Sequence, residues 1–171
     1  MVDTIKDDDT LLGELTVGGF RNNTVQTIRD TIYSKGVGGT MYVNDVDIDV
    51  TTAWAPFIWF SNSIDTKGLQ EDLTQGHFTV QTGAGGTFAV DVIFGVGSIF
   101  AGWIEIAVTK NGSITPYKTK RSLTAGGSGV SGIVASGDLV STDTFGLAIR
   151  ASGNATVQCE SCQYRGIRIG Q

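Results

Sequence analysis

The sequence predicts an all-β protein, an antiparallel jelly-roll β-sandwich with an N-terminal arm and one short helix in front of it. Three observations predict this. Glycine supplies 24 of 171 residues, about twice what an average usage of ~7% gives. Charged residues make up 17% against 40% hydrophobic ones, a balance that suits short strands and tight turns better than disorder. From Gly39 onward the apolar positions recur with period two, and glycine-rich turn signals interrupt them about every ten residues.

The chain divides into residues 1–38, an arm with a helix, and residues 39–171, the sandwich. After an acidic start that includes Asp7, Asp8 and Asp9, the apolar residues Leu11, Leu12, Leu15, Val17 and Phe20 are interrupted by Gly13, Gly18 and Gly19 too often for a helix. They form an arm that needs a surface to pack on. A helix is expected at about residues 24–34. Asn23 caps it, Gln26 follows three residues later, Val25, Ile28 and Ile32 share a face, and Lys35-Gly36 closes it. A helix this short is marginal alone in water, so its stripe must dock on the β domain or on another chain. Leu11, Leu12, Leu15, Phe20, Val25, Ile28 and Ile32 are therefore the candidate assembly and attachment residues.

The sandwich begins with a clear strand. Between Val43 and Val50, Val46, Ile48 and Val50 alternate with Asp45, Asp47 and Asp49, which leaves one face buried. Pro56 interrupts the run from Trp54 to Phe60 and places it at an edge or bend. Further strands are expected at Phe78–Gln81, Thr87–Phe94, Phe100–Lys110, Thr115–Leu123, Val130–Ala135, Leu139–Arg150 and Ala155–Ile169. The best single turn is Lys110-Asn111-Gly112, because Asn-Gly tolerates the positive φ values of a two-residue hairpin. No amphipathic helix falls between these strands, which argues against a βαβ fold.

A formal charge of −5 and a pI near 4.7 oppose nucleic-acid binding, which needs clustered Lys and Arg to displace counterions. The densest basic group, Lys118, Lys120 and Arg121, reads as a solvated strand face. No apolar run approaches the ~18 residues of a membrane span, and the acidic start is unlike a signal peptide. A soluble protein made in a cytoplasm is expected, so the sequons at Asn22, Asn111 and Asn154 carry little weight.

No motif demands catalysis. The single histidine, His77, has no evident nucleophile or orienting acid. Cys159 and Cys162 have the spacing of a zinc or redox pair, but no second Cys or His pair completes four zinc ligands. Since i and i+3 face opposite sides of a regular strand, the two thiols meet only across a turn or bulge; free thiols, a local disulfide and a metal site stay open. Gly127, Gly129 and Gly132 fit a dinucleotide fingerprint by count, but that fingerprint needs a strand before it and a helix after it, whereas a Ser-rich loop precedes a β-like stretch here, and they read as a flexible loop entering a strand. Asp45, Asp47 and Asp49 lie on a flat strand face, whereas calcium needs a curved loop. Glu105 and Asp91 are carboxylates of strands without an evident glycosidase pairing. The chain is expected to be no enzyme and to carry no cofactor or metal.

Four segments are specific when taken together: Phe78-Thr-Val-Gln-Thr-Gly-Ala-Gly-Gly-Thr-Phe88, Val108-Thr-Lys-Asn-Gly112, a Ser136-Gly-Asp-Leu-Val140 turn, and the ending Arg165-Gly-Ile-Arg-Ile-Gly170. Their order resembles the C1q/TNF-like jelly rolls of bacteriophage virion proteins, and the segment from Leu11 through the helix at Thr24–Ser34 is similar to the N-terminal parts of phage structural proteins. The Cys159–Cys162 stretch departs from the family pattern. The resemblance implies a ten-stranded jelly roll that forms a homotrimer, with apolar residues of one sheet meeting at a three-fold axis. Phe88, Val90, Val92 and Phe94, with Phe145, Leu147 and Ile149, are expected to exceed what a lone sandwich needs for its core.

The function expected from these readings is that of a structural virion protein. A trimeric capsid decoration or cement protein comes first, because no heptad shaft, collagen-like repeat or β-helix separates the head from its anchor. Its partners are the major capsid protein or other virion proteins. The alternative is a receptor-binding head or short tail fibre that recognises host-surface glycan or protein, with Trp54, Trp59 or Tyr117 stacking on sugar.

Overall fold

The computed structural model describes residues 36–98 and 101–171, and Val37–Gln171 form one compact unit. The arm, the expected helix and all seven candidate attachment residues lie outside the described residues. Within them the chain forms β1 (Gly38–Val50), β2 (Ala55–Pro56), β3 (Asn62–Lys67), β4 (Leu69–Asp72), β5 (His77–Val80), β6 (Gly86–Ser98), β7 (Gly102–Lys110), β8 (Ser113–Leu123), β9 (Gly127–Leu139), β10 (Thr144–Ala151) and β11 (Ala155–Gly170). No helix occurs among the described residues. One sheet has the order β3-β1-β11-β6-β9, the other β4-β5-β10-β7-β8 with β2 beside β10. Every pairing is antiparallel. The last strand lies between β1 and β6, and β10 between β5 and β7, so the sandwich crosses from sheet to sheet as a jelly roll does.

Local chemistry explains the turns. Asn111 and Gly112 take φ of 50° and 74°, and β7 pairs directly with β8 across them, Lys110 opposite Ser113. This is the two-residue hairpin that Asn-Gly predicts. Pro56 sits in a two-residue bridge to β10 rather than in a central strand, as a residue without an N–H must.

Three expected boundaries are corrected. Leu139–Arg150 is not one strand: Leu139 ends β9, a turn over 140–143 follows, and β10 starts at Thr144. The backbone there closes with the Asp143 N–H donating to the Val140 carbonyl at 3.0 Å. Ser136–Leu139, expected as a turn, is the end of β9. Gly127 and Gly129, expected in a loop that enters the strand at Val130, already belong to β9 and pair with β6 residue for residue. Small residues on a strand facing Phe94 and Val96 satisfy the ladder as well as large ones do, and the loop reading missed this because glycine lacks a side-chain pattern.

The core lies between the sheets. Phe57, Phe78, Phe88, Phe94, Phe145 and Tyr164 are fully buried and meet at ring-centroid distances of 5.5–6.0 Å in pairs such as Phe78 with Phe145, Phe78 with Tyr164 and Phe57 with Phe94. These are the tilted and edge-on geometries that aromatic quadrupoles prefer. Phe88, Val90, Val92, Phe94, Phe145, Leu147 and Ile149 all point into this core. They are not the surplus apolar surface that the sequence suggested; interlayer packing consumes them.

One irregularity decides which residues face inward. Along β1 the buried set runs through Met41 and Val43, then resumes at Ile48 and Val50. Asp45, with φ of 51°, breaks the alternation. On β11 the buried set runs through Val157 and Cys159 and resumes at Cys162 and Tyr164, and the pairing with β6 slips by one residue between Cys159 and Ser161. Both strands change face at the same level, so they keep mutual register. This bulge turns Cys159 and Cys162 to the same side.

Candidate functional site

The outward faces of the two sheets differ in chemistry. On the five-stranded sheet, Ile93 of β6 stands beside Gln163 of β11, Ile167 beside Ala89, and Ile64 of β3 beside Thr40 of β1. On the edge strand β9, Val134 and Val130 project outward and are 82% and 63% exposed. Ile64 and Ile93 are each 50% exposed. Apolar side chains thus run across the sheet from one edge strand to the other. In their midst Arg165 forks onto Asp91, donating Nε–H to Oδ1 at 2.8 Å and Nη2–H to Oδ2 at 3.1 Å. The pairing offsets these two charges locally, while Asp47 and Asp49 of β1 stay exposed further along the same sheet.

The six-stranded sheet carries charge and aromatic rings instead. Arg150 of β10, Glu105 of β7 and Lys120 of β8 form one row across it. Glu105 is buried and accepts from Arg150 Nε and Nη2 at 2.7 and 2.6 Å, with Lys118 3.8 Å away. The Lys120 ammonium sits 4.0 Å above the Trp103 ring, and the Arg150 guanidinium lies between Trp54 at 4.7 Å and Trp103 at 5.6 Å. Cation and ring therefore alternate along the face. The solvated-face reading of Lys118 and Lys120 holds for their exposure and misses these partners.

At the end of this sheet a polar cluster ties two turns together. Asp143 accepts from the Asn111 amide at 2.8 Å and from the Val140 N–H at 2.9 Å, with the Lys110 ammonium 3.0 Å away. The Asn111 bond, then the Val140 bond and then Lys110 hold its pKa down to about 2, against the opposing effect of burial. Asn111 thus serves twice, as turn residue and as clamp.

The remaining candidates fall into place singly. Cys159 and Cys162 are free and buried. Burial, with Asp45 and Glu160 nearby, pushes the Cys159 thiol up to about 12, and burial pushes that of Cys162 well above its usual range, so both stay protonated and inert as nucleophiles. Asp45, Asp47 and Asp49 are exposed, and Asp49 accepts from the Thr156 hydroxyl at 2.7 Å. No cluster of three metal-ligating side chains occurs among the described residues. Glu105 and Asp91, which sequence reading placed in strands, lie on opposite sheets and are each bound to an arginine. Trp54 and Trp59 are half-buried and Tyr117 is 43% exposed. Sequence reasoning missed Arg150 and Trp103; period-two spacing on β10 and β7 puts them on the outer face, but only register puts them side by side.

No protein-family model matches the sequence, and no curated protein matches it. Solved structures do match in shape. The globular domain of zebrafish complement 1qA superposes with a TM-score of 0.59 over 78% of this chain and 98% of that one, at 11% identity. The Eiger TNF of S. frugiperda gives 0.58 over 80% and 94%, at 13% identity. Murine APRIL gives 0.51 over 77% and 99%, also at 13% identity. The fold is a C1q/TNF-like jelly roll. At such identities the likeness concerns the fold, and function must be argued from the faces of this molecule.

Proposed function

We propose that the chain is a non-enzymatic structural protein of a bacteriophage particle, a homotrimeric decoration protein that binds the head and stabilises it. The observation that carries the trimer is the outer face of the five-stranded sheet. Apolar residues as exposed as Val134, Val130, Ile93 and Ile64, arranged around a self-neutralised ion pair, form a surface that a water-facing sheet has no reason to keep. Val130 and Val134 stand on one edge strand and Ile64 on the other. A contact in which β9 of one copy packs on the β3 side of the next uses two different patches, and such a head-to-tail contact closes into a ring when the rotation allows it.

The phage assignment draws on the resemblance of the segments at 78–88, 108–112 and 165–170 to virion jelly rolls. Attachment is assigned to residues 1–38, whose Leu11, Leu12, Leu15, Phe20, Val25, Ile28 and Ile32 offer apolar side chains to the major capsid protein or a neighbouring virion protein. The protein belongs, on this reading, to the outside of the virion, after synthesis in the host cytoplasm. The test is to add the purified protein to heads that lack it and to measure binding and survival on heating. Failure of both overturns the decoration role, and a monomer at micromolar concentration overturns the trimer.

A second reading, a receptor-binding head that recognises a host-surface glycan, has one specific observation in its favour: Trp54 is held at the rim of an open groove by its stack on Arg150. Competition of the isolated protein with phage adsorption separates the two, since a decoration protein does not compete.

A further inference from the structure

We propose that the outer face of the six-stranded sheet carries a carbohydrate site, a groove of about 350 Å³ that receives one uncharged pyranose ring. The inference deepens the receptor-binding reading, and on that reading alone it depends for its biological use.

The groove follows from strand register. Successive rows across this face read His77, Gly146, Thr109 and Ile114, then Pro56, Ala148, Ala107 and Lys118. The central positions of both rows on β10, and of the second on β7, are Gly or Ala. A sheet face normally stands side chains on every outward position; here the middle is bare, and a trench opens between taller residues. Trp54 and Pro56 form one wall, Gln75 and His77 a second, and Ile114 a third.

The two rims on the β5 side are held in place. Asp72 accepts from the Thr74 N–H, the Thr74 hydroxyl and the Gln75 N–H at 2.7–3.0 Å, which fixes the turn that presents Gln75 and His77. Gly76, at φ of 65°, passes so close to the Phe57 carbonyl that a Cβ there would lie 1.8 Å from the oxygen. A Cβ on Gly146 would lie 2.8 Å from the Gly76 carbonyl oxygen. Only glycine at both positions lets the rims and floor meet. A preformed trench costs a ligand little ordering.

The lining selects the ligand. Trp54, Pro56, Ile114 and Ala148 offer apolar surface, while the Gln75 amide, the His77 imidazole and the Thr109 and Thr144 hydroxyls offer donors and acceptors. None of the lining residues is Asp, Glu, Lys or Arg, so apolar surface and amide, imidazole and hydroxyl groups dominate the groove. A pyranose ring matches: its C–H face needs an apolar wall, and its hydroxyls need polar partners that donate and accept. Arg150 covers one face of Trp54 and steadies the ring.

The experiment is saturation-transfer NMR on the full chain with a panel of glucose, galactose, mannose, N-acetylglucosamine and their disaccharides, run beside Trp54→Ala, Trp54→Phe and Gln75→Ala variants whose fold is checked by thermal unfolding. The expected result is transfer to the ring protons of at least one sugar, binding weakened about tenfold or more in Trp54→Ala, with partial recovery in Trp54→Phe. Absence of transfer from every sugar, or binding unchanged in both folded alanine variants, overturns the site. Adsorption competition by the same samples keeps the two questions apart: a protein that competes but binds no sugar retains a receptor role through other chemistry and loses this groove.

Discussion

The two outward faces of the sandwich come from the same strand periodicity and end with opposite character. Across the five-stranded sheet the outward positions hold Ile64, Ile93, Val130, Val134 and Ile167, with Arg165 paired to Asp91 at 2.8 Å among them and the exposed Asp47 and Asp49 towards one end. Across the six-stranded sheet the outward positions hold Arg150, Glu105, Lys118 and Lys120 with two tryptophans between them. The first face lowers its free energy when another surface covers it; the second is already satisfied by itself and by water. A sandwich needs only its inner faces apolar, so the apolar outer face is the surface that the proposed trimer would bury.

Breaking that comparison is straightforward on the apolar side. Val134→Asp puts a carboxylate into the proposed contact between β9 of one copy and the β3 side of the next, where burying an unpaired charge is costly. The expected outcome is a shift from trimer to monomer in sedimentation, with the unfolding midpoint of the monomer little changed because the site is on the surface. The matching change on the opposite face, Lys120→Glu, is expected to leave the mass unaltered and to cost no more than about 1 kcal/mol in denaturant unfolding through loss of its contact with Trp103. If Lys120→Glu dissociates the trimer and Val134→Asp does not, the faces have been assigned the wrong way round.

Smaller effects sharpen the view of the charged side. Glu105→Ala leaves the Arg150 guanidinium without its main acceptor, and a loss of about 1–3 kcal/mol is expected. Asp143→Asn removes the carboxylate that joins the Asn111 turn to Val140, with a loss of similar size, about 1–3 kcal/mol. The same residue gives the protein an acid limb. Its pKa in the fold, about 2, lies below the ordinary 3.8, so its contribution is fully present above 3.8 and is lost as pH falls toward 2. Urea unfolding across that interval is expected to be less steeply pH-dependent in Asp143→Asn. The smallest effect belongs beneath the apolar sheet. The Tyr164 hydroxyl is buried with no hydrogen-bond partner among the described residues, so Tyr164→Phe is expected to be neutral or to stabilise by up to about 1 kcal/mol.

Particular residues show how far the sequence could be read. Asn111-Gly112 announced its hairpin because few dipeptides accept two successive positive φ values. Val46, Ile48 and Val50 announced a one-sided strand, and Pro56 an edge, for reasons equally local. The start of β9 at Gly127 and Gly129 gives no strand signal, since a strand that shows its partner mainly backbone has no alternation to detect. Phe88 to Phe94 and Phe145 to Ile149 read as surplus apolar surface in the sequence and lie in the core in the structure, because period two fixes that residues share a face and leaves open which face is inside. Of the candidate sites, Trp54 was visible as an aromatic, but Gly146, Ala148 and Ala107 had no signal: a groove made by missing side chains is legible only when three strands are laid side by side.

The sequence by itself determined that residues 39–171 form a β-sandwich, where most of its strands lie, and that Asn111-Gly112 closes a hairpin, because propensity and turn chemistry act within a few residues. Only the tertiary structure decided which apolar residues form the core and which remain outside, that Cys159 and Cys162 face inward together, and that Trp54, Arg150, Trp103 and Lys120 form one ladder. Those outcomes depend on register, and a single bulge at Asp45 and Glu160 reverses the facing of everything beyond it.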